Sequence, residues 1–136
     1  MNINETLTYL GINVFYLPLV DSYGKYDPVN KLIFINENLP EQVKYKALCH
    51  ELGHALNHHQ KIHKQACSFV LNSKNEYEAE KYSVHQAVFH WLDENDTCKE
   101  AVNAHLIMKQ TDIATKFEYL VKEEIIDWYD LHQEAV

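Results

Sequence analysis

Residues 49–54 read CHELGH, and the fold turns on whether His50, Glu51 and His54 stand in that order for a reason. On an α-helix, residues four apart share a face about one turn apart. His50 and His54 can therefore aim imidazole nitrogens at one ion. Zinc takes nitrogen ligands at about 2.0–2.1 Å, a distance this spacing can meet. Glu51 points past the ion and suits a base that handles the proton of a water. The other side of the helix carries Tyr45, Leu48, Leu52, Ala55 and Leu56, a side fit for packing. Gly53 is costly inside a helix and makes sense where another backbone or side chain passes close by. Nine histidines in 136 residues give chance its opportunities. His54/His58 and His59/His63 repeat the four-residue spacing and form a candidate adventitious site. The position of H-E-x-x-H, mid-helix and directly after candidate strands, favours a zinc site on His50 and His54 with Glu51 as general base.

Outward from the motif, the chain divides readily. Residues 3–10 suit a short helix. "NVFYLPL" (13–19) and "KLIFIN" (31–36) are rich in β-branched and aromatic residues, with the turn formers of "VDSYGKYDPVN" between them. That pattern predicts two antiparallel strands joined by a loop. Pro40 marks a helix entry, and the helix should run from Glu41 to about His59. Asn72 or Ser73 is placed to cap the next helix, with Glu76 three residues after Ser73 as in a capping box, ending near Leu92. "DENDT" (93–97) reads as a polar connection, and 98–110 as an amphipathic segment. Ile113, Phe117, Leu120, Val121, Trp128 and Leu131 recur at helical spacing, best read as a core face. The expected fold class is α+β: a mostly helical domain with a small N-terminal antiparallel hairpin packed on the H-E-x-x-H helix. One domain is expected over 1–136, with a zinc-binding core in 1–92 and C-terminal helices in 93–136.

A catalytic zinc usually has three protein ligands and one open position. The segment "NEYEAEKYS" (75–83) offers Glu76, Glu78 and Glu80. Periodicity does not choose among them, and Cys67 and His85 are weaker candidates. Tyr82 and His85 fall along the Glu78 face and are candidate donors to a developing oxyanion.

The net charge is −8, from 12 basic and 20 acidic residues. An acidic domain repels phosphate backbones, which argues against direct nucleic-acid binding. The three cysteines, Cys49, Cys67 and Cys98, fit no zinc knuckle, and their odd number suits a reducing, cytoplasmic compartment. No apolar run is long enough to span a bilayer, and the N-terminus has no basic, then apolar, leader pattern.

"HELGHALNHH" followed by "EYEAEKYS", together with the upstream "GKYDPVNKLIFINENLP", resembles the ImmA/IrrE family of small metallopeptidases over roughly residues 12–92. The resemblance implies a zincin-like, gluzincin-type fold, with His50 and His54 as ligands, Glu51 as base and Glu78 as third ligand. It further implies a protein substrate, a repressor of a phage or mobile element whose cleavage relieves repression. The chain departs from the family pattern after Tyr82, where it reads "VHQAVFHWLDEN". The rival reading is a zinc-stabilised, antirepressor-like binding module that recognises a regulator without cutting it.

Overall fold

A computed structural model of the chain describes residues 2–60, 69–95 and 102–133. The first helix, α1 (Ile3–Leu10), opens where the Asn2 side chain accepts a hydrogen bond from the Glu5 amide at 2.8 Å. It closes at Gly11, whose φ of 70° is a left-handed conformation that glycine adopts without strain.

Three strands follow: β1 (Asn13–Leu17), β2 (Gly24–Asp27) and β3 (Leu32–Asn36), in the order β1-β3-β2. The expected antiparallel pairing of 13–19 with 31–36 is corrected. β1 lies parallel to β3, with Asn13 opposite Leu32. The antiparallel partner of β3 is β2, which lies inside the stretch of turn formers. Asp27 explains how so short a strand ends cleanly. Its carboxylate accepts from the amides of Val29 and Asn30 at 3.0 and 3.2 Å, and Lys31 completes the turn at φ 55°. β3 is therefore the central strand, and "KLIFIN" has no free edge for a further strand. Its alternation is regular: Ile33 and Ile35 are fully buried.

Those two isoleucines face α2 (Glu41–Gln60), where Ala47, Leu48, Leu52 and Ala55 complete an N-terminal core with Ile3, Leu10 and Ile12. Next comes α3 (Phe69–Asn95). Its start is earlier than the expected cap, so Asn72 and Ser73 are interior to the helix. Its end lies beyond Leu92, so Asp93–Asn95, expected in a connection, are helical. Residues 96 and 97 lie outside the described residues. α4 (Ala104–Thr111) is capped by Asn103, whose side chain accepts from the His105 amide at 2.8 Å. A 3-10 turn (Thr115–Phe117) then leads into α5 (Glu118–Gln133). Val84, Val88, Trp91 and Leu92 of α3 meet Ile107, Met108, Leu120, Val121 and Trp128 in a second core. The C-terminal stripe is thus a packing face, except Leu131, which is exposed. The class is α+β and mostly helical, and no helix among the described residues is long and apolar enough to cross a membrane.

The α2–α3 contact has one tight point. A Cβ at Gly53 would lie 2.9 Å from the Ala79 Cα and 3.0 Å from its carbonyl oxygen. Those are backbone atoms, so the helices themselves would have to part. Overpacking of this kind costs about 1–3 kcal/mol, while replacing a helical glycine by alanine returns up to about 1 kcal/mol. Gly53→Val should therefore lower unfolding free energy by about 2 kcal/mol, and Gly53→Ala by less. Denaturant titration of both variants measures this, and an unshifted midpoint for Gly53→Val would rule out the close crossing.

Candidate metal centre

α2 carries His50 and His54 on one face, with ring centroids 4.8 Å apart and planes nearly perpendicular. Because Gly53 lacks a side chain, α3 approaches that face at Ala79, itself fully buried. The crossing decides which glutamates meet the histidines. Glu76 lies one turn before Ala79, and Glu80 immediately after it. The Glu76 carboxylate sits 3.0 Å from His54 Nε2 and 3.5 Å from His50 Nε2. The ligand atoms of His50, His54 and Glu76 all lie within 4.8 Å of one another.

Glu78 is not in this group. Two residues along a helix is a rotation of about 200°, so Glu78 cannot share the face of Glu76 and Glu80. The structure brings Glu76, rather than Glu78, to the histidine pair. The donor set fits a small divalent ion. Ligands at about 2.0–2.1 Å in a tetrahedron stand about 3.3 Å apart, and the two nitrogen–oxygen separations fall on either side of that value. Glu76 is exposed and the histidines are partly buried, which leaves an open side.

Glu80 meets the other nitrogen of His50. Its Oε2 lies 3.0 Å from His50 Nδ1, and its Oε1 lies 2.6 Å from Lys46 Nζ. These are close ion-pair contacts rather than in-line hydrogen bonds. Burial works against a charge on Glu80, yet His50 and Lys46 outweigh it and bring the carboxyl down to about 2. Burial likewise pulls His50 down, but Glu80 more than reverses this and raises it. His54 is lowered, by burial first, against the pull of Glu76. Glu51 is raised, again by burial first, with the nearby Glu76 charge adding to it and His50 opposing. A carboxylate that holds a proton more tightly is a better base.

A cleft of about 270 Å³ opens beside these groups, lined by Tyr23, Gly24, Lys46, Ala47, His50, Glu51 and Glu80. Gly24 begins β2 and stands so close that an added Cβ would meet the Ile35 side chain at 2.9 Å and Glu51 Cγ at 3.3 Å. The outer edge of β2, which no other strand among the described residues pairs, thus borders the cleft. Tyr23 donates to Asp112, at the end of α4, which fixes its ring on the cleft wall. Neither motif nor spacing singles out Tyr23 or Lys46, although Lys46 lies one helical turn from His50; Glu80 is among the three candidate third ligands and lies here against His50 Nδ1.

The two expected oxyanion donors, Tyr82 and His85, do not line this cleft. Tyr82 packs into the N-terminal core and bonds toward Thr6, with burial pushing its hydroxyl up to about 12. His85 is held by Glu124 of α5 and rests against Phe89. The rotation that separates Glu78 from Glu76 carries both away from the cleft. Cys49 is fully buried, and burial pushes its thiol up to about 12, which suits packing. His58 is exposed, with its ring edge toward Tyr26. His63, Cys67 and Cys98 lie outside the described residues, as does the side chain of His59.

The peptidase family M78 model, described as an IrrE N-terminal-like domain, matches residues 7–129, and the chain belongs to that family. It is also similar to the uncharacterized immunity region protein 2 of Bacillus phage phi105, at 32% identity over 88 residues. That match covers 62% of this chain and 52% of the relative, so the chain spans about half the length of the curated protein it matches.

The Glu80 ion pairs predict an acid limb of stability. A carboxylate depressed in the folded state stabilises above its unfolded value, about 4.3, and loses that contribution as pH falls through the folded value near 2. Metal-free protein should be more stable than its Glu80→Gln variant at pH 5–6, by about 2 kcal/mol after allowance for partial solvent screening. The difference should shrink toward zero near pH 2. Urea titration across that range checks it, and a pH-independent difference would deny the pairing.

Proposed function

We propose that this chain is a zinc-dependent endopeptidase that cuts a flexible segment of a transcriptional repressor of a phage or mobile element, in the cytoplasm. The observation that carries the reading is the convergence of the ligand atoms of His50, His54 and Glu76, with His50 and Glu51 also lining an adjoining open cleft. Family membership supports a peptidase, and the similar phage protein is named for an immunity region.

In this reading His50 and His54, through Nε2, and Glu76, through its carboxylate, hold the ion. When bound, a zinc ion supplies Lewis acidity, which acidifies water and polarises a carbonyl. Glu51 takes a proton from the attacking water at its carboxylate and delivers it to the nitrogen of the leaving amine. Glu80 orients His50 from the far side of the ring, the role that outer carboxylates play for ligating histidines. The edge of β2, rather than β3, is positioned to pair with an extended substrate backbone. Only an unfolded or flexible segment can supply such a strand. Gly24 leaves room for it against Glu51.

Two expected outcomes follow from these assignments. His50→Ala, His54→Ala and Glu76→Ala should each lose bound zinc, while Glu78→Ala keeps it; elemental analysis of the purified variants reads this. Loss with Glu78→Ala and retention with Glu76→Ala would restore the ligand that the family resemblance implies. Glu51→Gln should keep zinc and partner binding but cut 10²–10⁴-fold more slowly, the usual worth of a general base. Incubation with a repressor encoded beside the gene, followed by sizing the repressor, measures it. Full relief of repression by Glu51→Gln with the repressor intact would favour the non-cutting, antirepressor-like module instead.

A further inference from the structure

We infer that Lys46 is a positioning residue of the metal centre: it fixes the Glu80 carboxylate, which in turn fixes the His50 ring. The inference rests on the metal-centre reading above and adds to it a residue that touches neither ion nor substrate.

The geometry is a clamp across the helix crossing. Lys46 and His50 stand on α2 one turn apart, and Glu80 enters between them from α3. One carboxylate oxygen is 2.6 Å from Lys46 Nζ, and the other is 3.0 Å from His50 Nδ1. The Lys46 side chain is only 12% exposed, and that of Glu80 only 11%. Lysine is almost never buried this far unless it is paired, so Lys46 is not on this wall for solubility. Its ammonium is engaged by Glu80, so it is not a free anchor for an acidic substrate group.

The consequence for His50 follows from what Glu80 would do alone. Without Lys46, one oxygen of a buried carboxylate would lack its counter-charge, a strongly unfavourable arrangement. Glu80 has rotatable bonds enough to turn toward solvent and escape that cost. The His50 ring would then lose the group that holds Nδ1 and could rotate, exchanging the positions of its nitrogens. Lys46 also has an opposing effect. It is a cation near a site for a cation, and simple repulsion weakens metal binding. The two effects differ in sign. If positioning dominates, removing Lys46 weakens zinc binding; if repulsion dominates, removal tightens it. The direct contacts to Glu80 favour positioning.

The test uses the whole chain and zinc itself, with affinity read by competition against a chromophoric chelator. Lys46→Met keeps the aliphatic stem and removes the charge. It should bind zinc about 10–100-fold more weakly, the usual loss when an outer partner of a ligand is removed. Lys46→Arg should restore binding to within about threefold, since it keeps the cation. Lys46→Gln, which keeps a donor without the charge, should fall between them and stands in should Lys46→Met fail to fold. In a Glu80→Gln background the Lys46→Met change should have little effect, about twofold at most, because Lys46 acts through Glu80. Unchanged or tighter binding by both Lys46→Met and Lys46→Gln would overturn the inference. So would an equal loss in the Glu80→Gln background. A wild-type chain that takes up no zinc would instead remove the metal centre itself, a failure distinct from a wild type that binds and a Lys46→Met variant that binds as well.

Discussion

The contact between Gly53 and Ala79 is the constraint on which the rest depends. Neither residue carries chemistry. Their approach at backbone distance sets both the separation and the relative rotation of α2 and α3. Rotation is what matters for the site, because each residue along α3 turns its side chain by about 100°. With Ala79 against Gly53, Glu76 and Glu80 flank the histidine face, and Glu78, Tyr82 and His85 are directed elsewhere. A helix pair crossing one residue out of this register would offer the histidines a different set of side chains.

Around that crossing the charges are arranged in pairs rather than as a field. The protein is acidic as a whole, yet the histidine pair and the adjoining cleft bring a half-buried lysine and two histidines together with three carboxylates. Each carboxylate has a separate place. Glu76 is exposed and faces both Nε2 atoms, Glu80 is buried between Lys46 and His50, and Glu51 stands partly buried with its acidity weakened. Environment alone thus separates three identical functional groups into a ligand, an orienting group and a base in the function proposed here. β2 adds the fourth element, an edge beside Glu51 made accessible by a glycine.

The local parts of this arrangement were legible in the sequence. His50, Glu51 and His54 share one helix, so their mutual geometry follows from spacing alone, and the cost of Gly53 foretold a close neighbour. The family resemblance also holds. The partner from α3 was not legible, because three glutamates at alternate positions look alike until the rotation of that helix is known. The start of α3 misled as well: Ser73 and Glu76 match a capping box, yet the helix is already formed at Phe69. In the sheet, the turn formers of 20–30 hid β2, whose four residues are held by long-range pairing with β3 and packing on α2. Without β2 in view, the hairpin was the simplest reading of 13–19 and 31–36. The parallel pairing of β1 with β3 is a long-range outcome that strand composition does not encode.

The central claim is that α2 and α3 together build a site of two imidazoles and one carboxylate for a single zinc ion. X-ray absorption at the zinc edge, on protein loaded with one equivalent, tests it most directly. The account predicts a first shell of nitrogen and oxygen only, at about 2.0–2.1 Å, with the outer-shell signature of two imidazole rings. A sulfur scatterer near 2.3 Å, or a shell with fewer than two imidazoles, would contradict it.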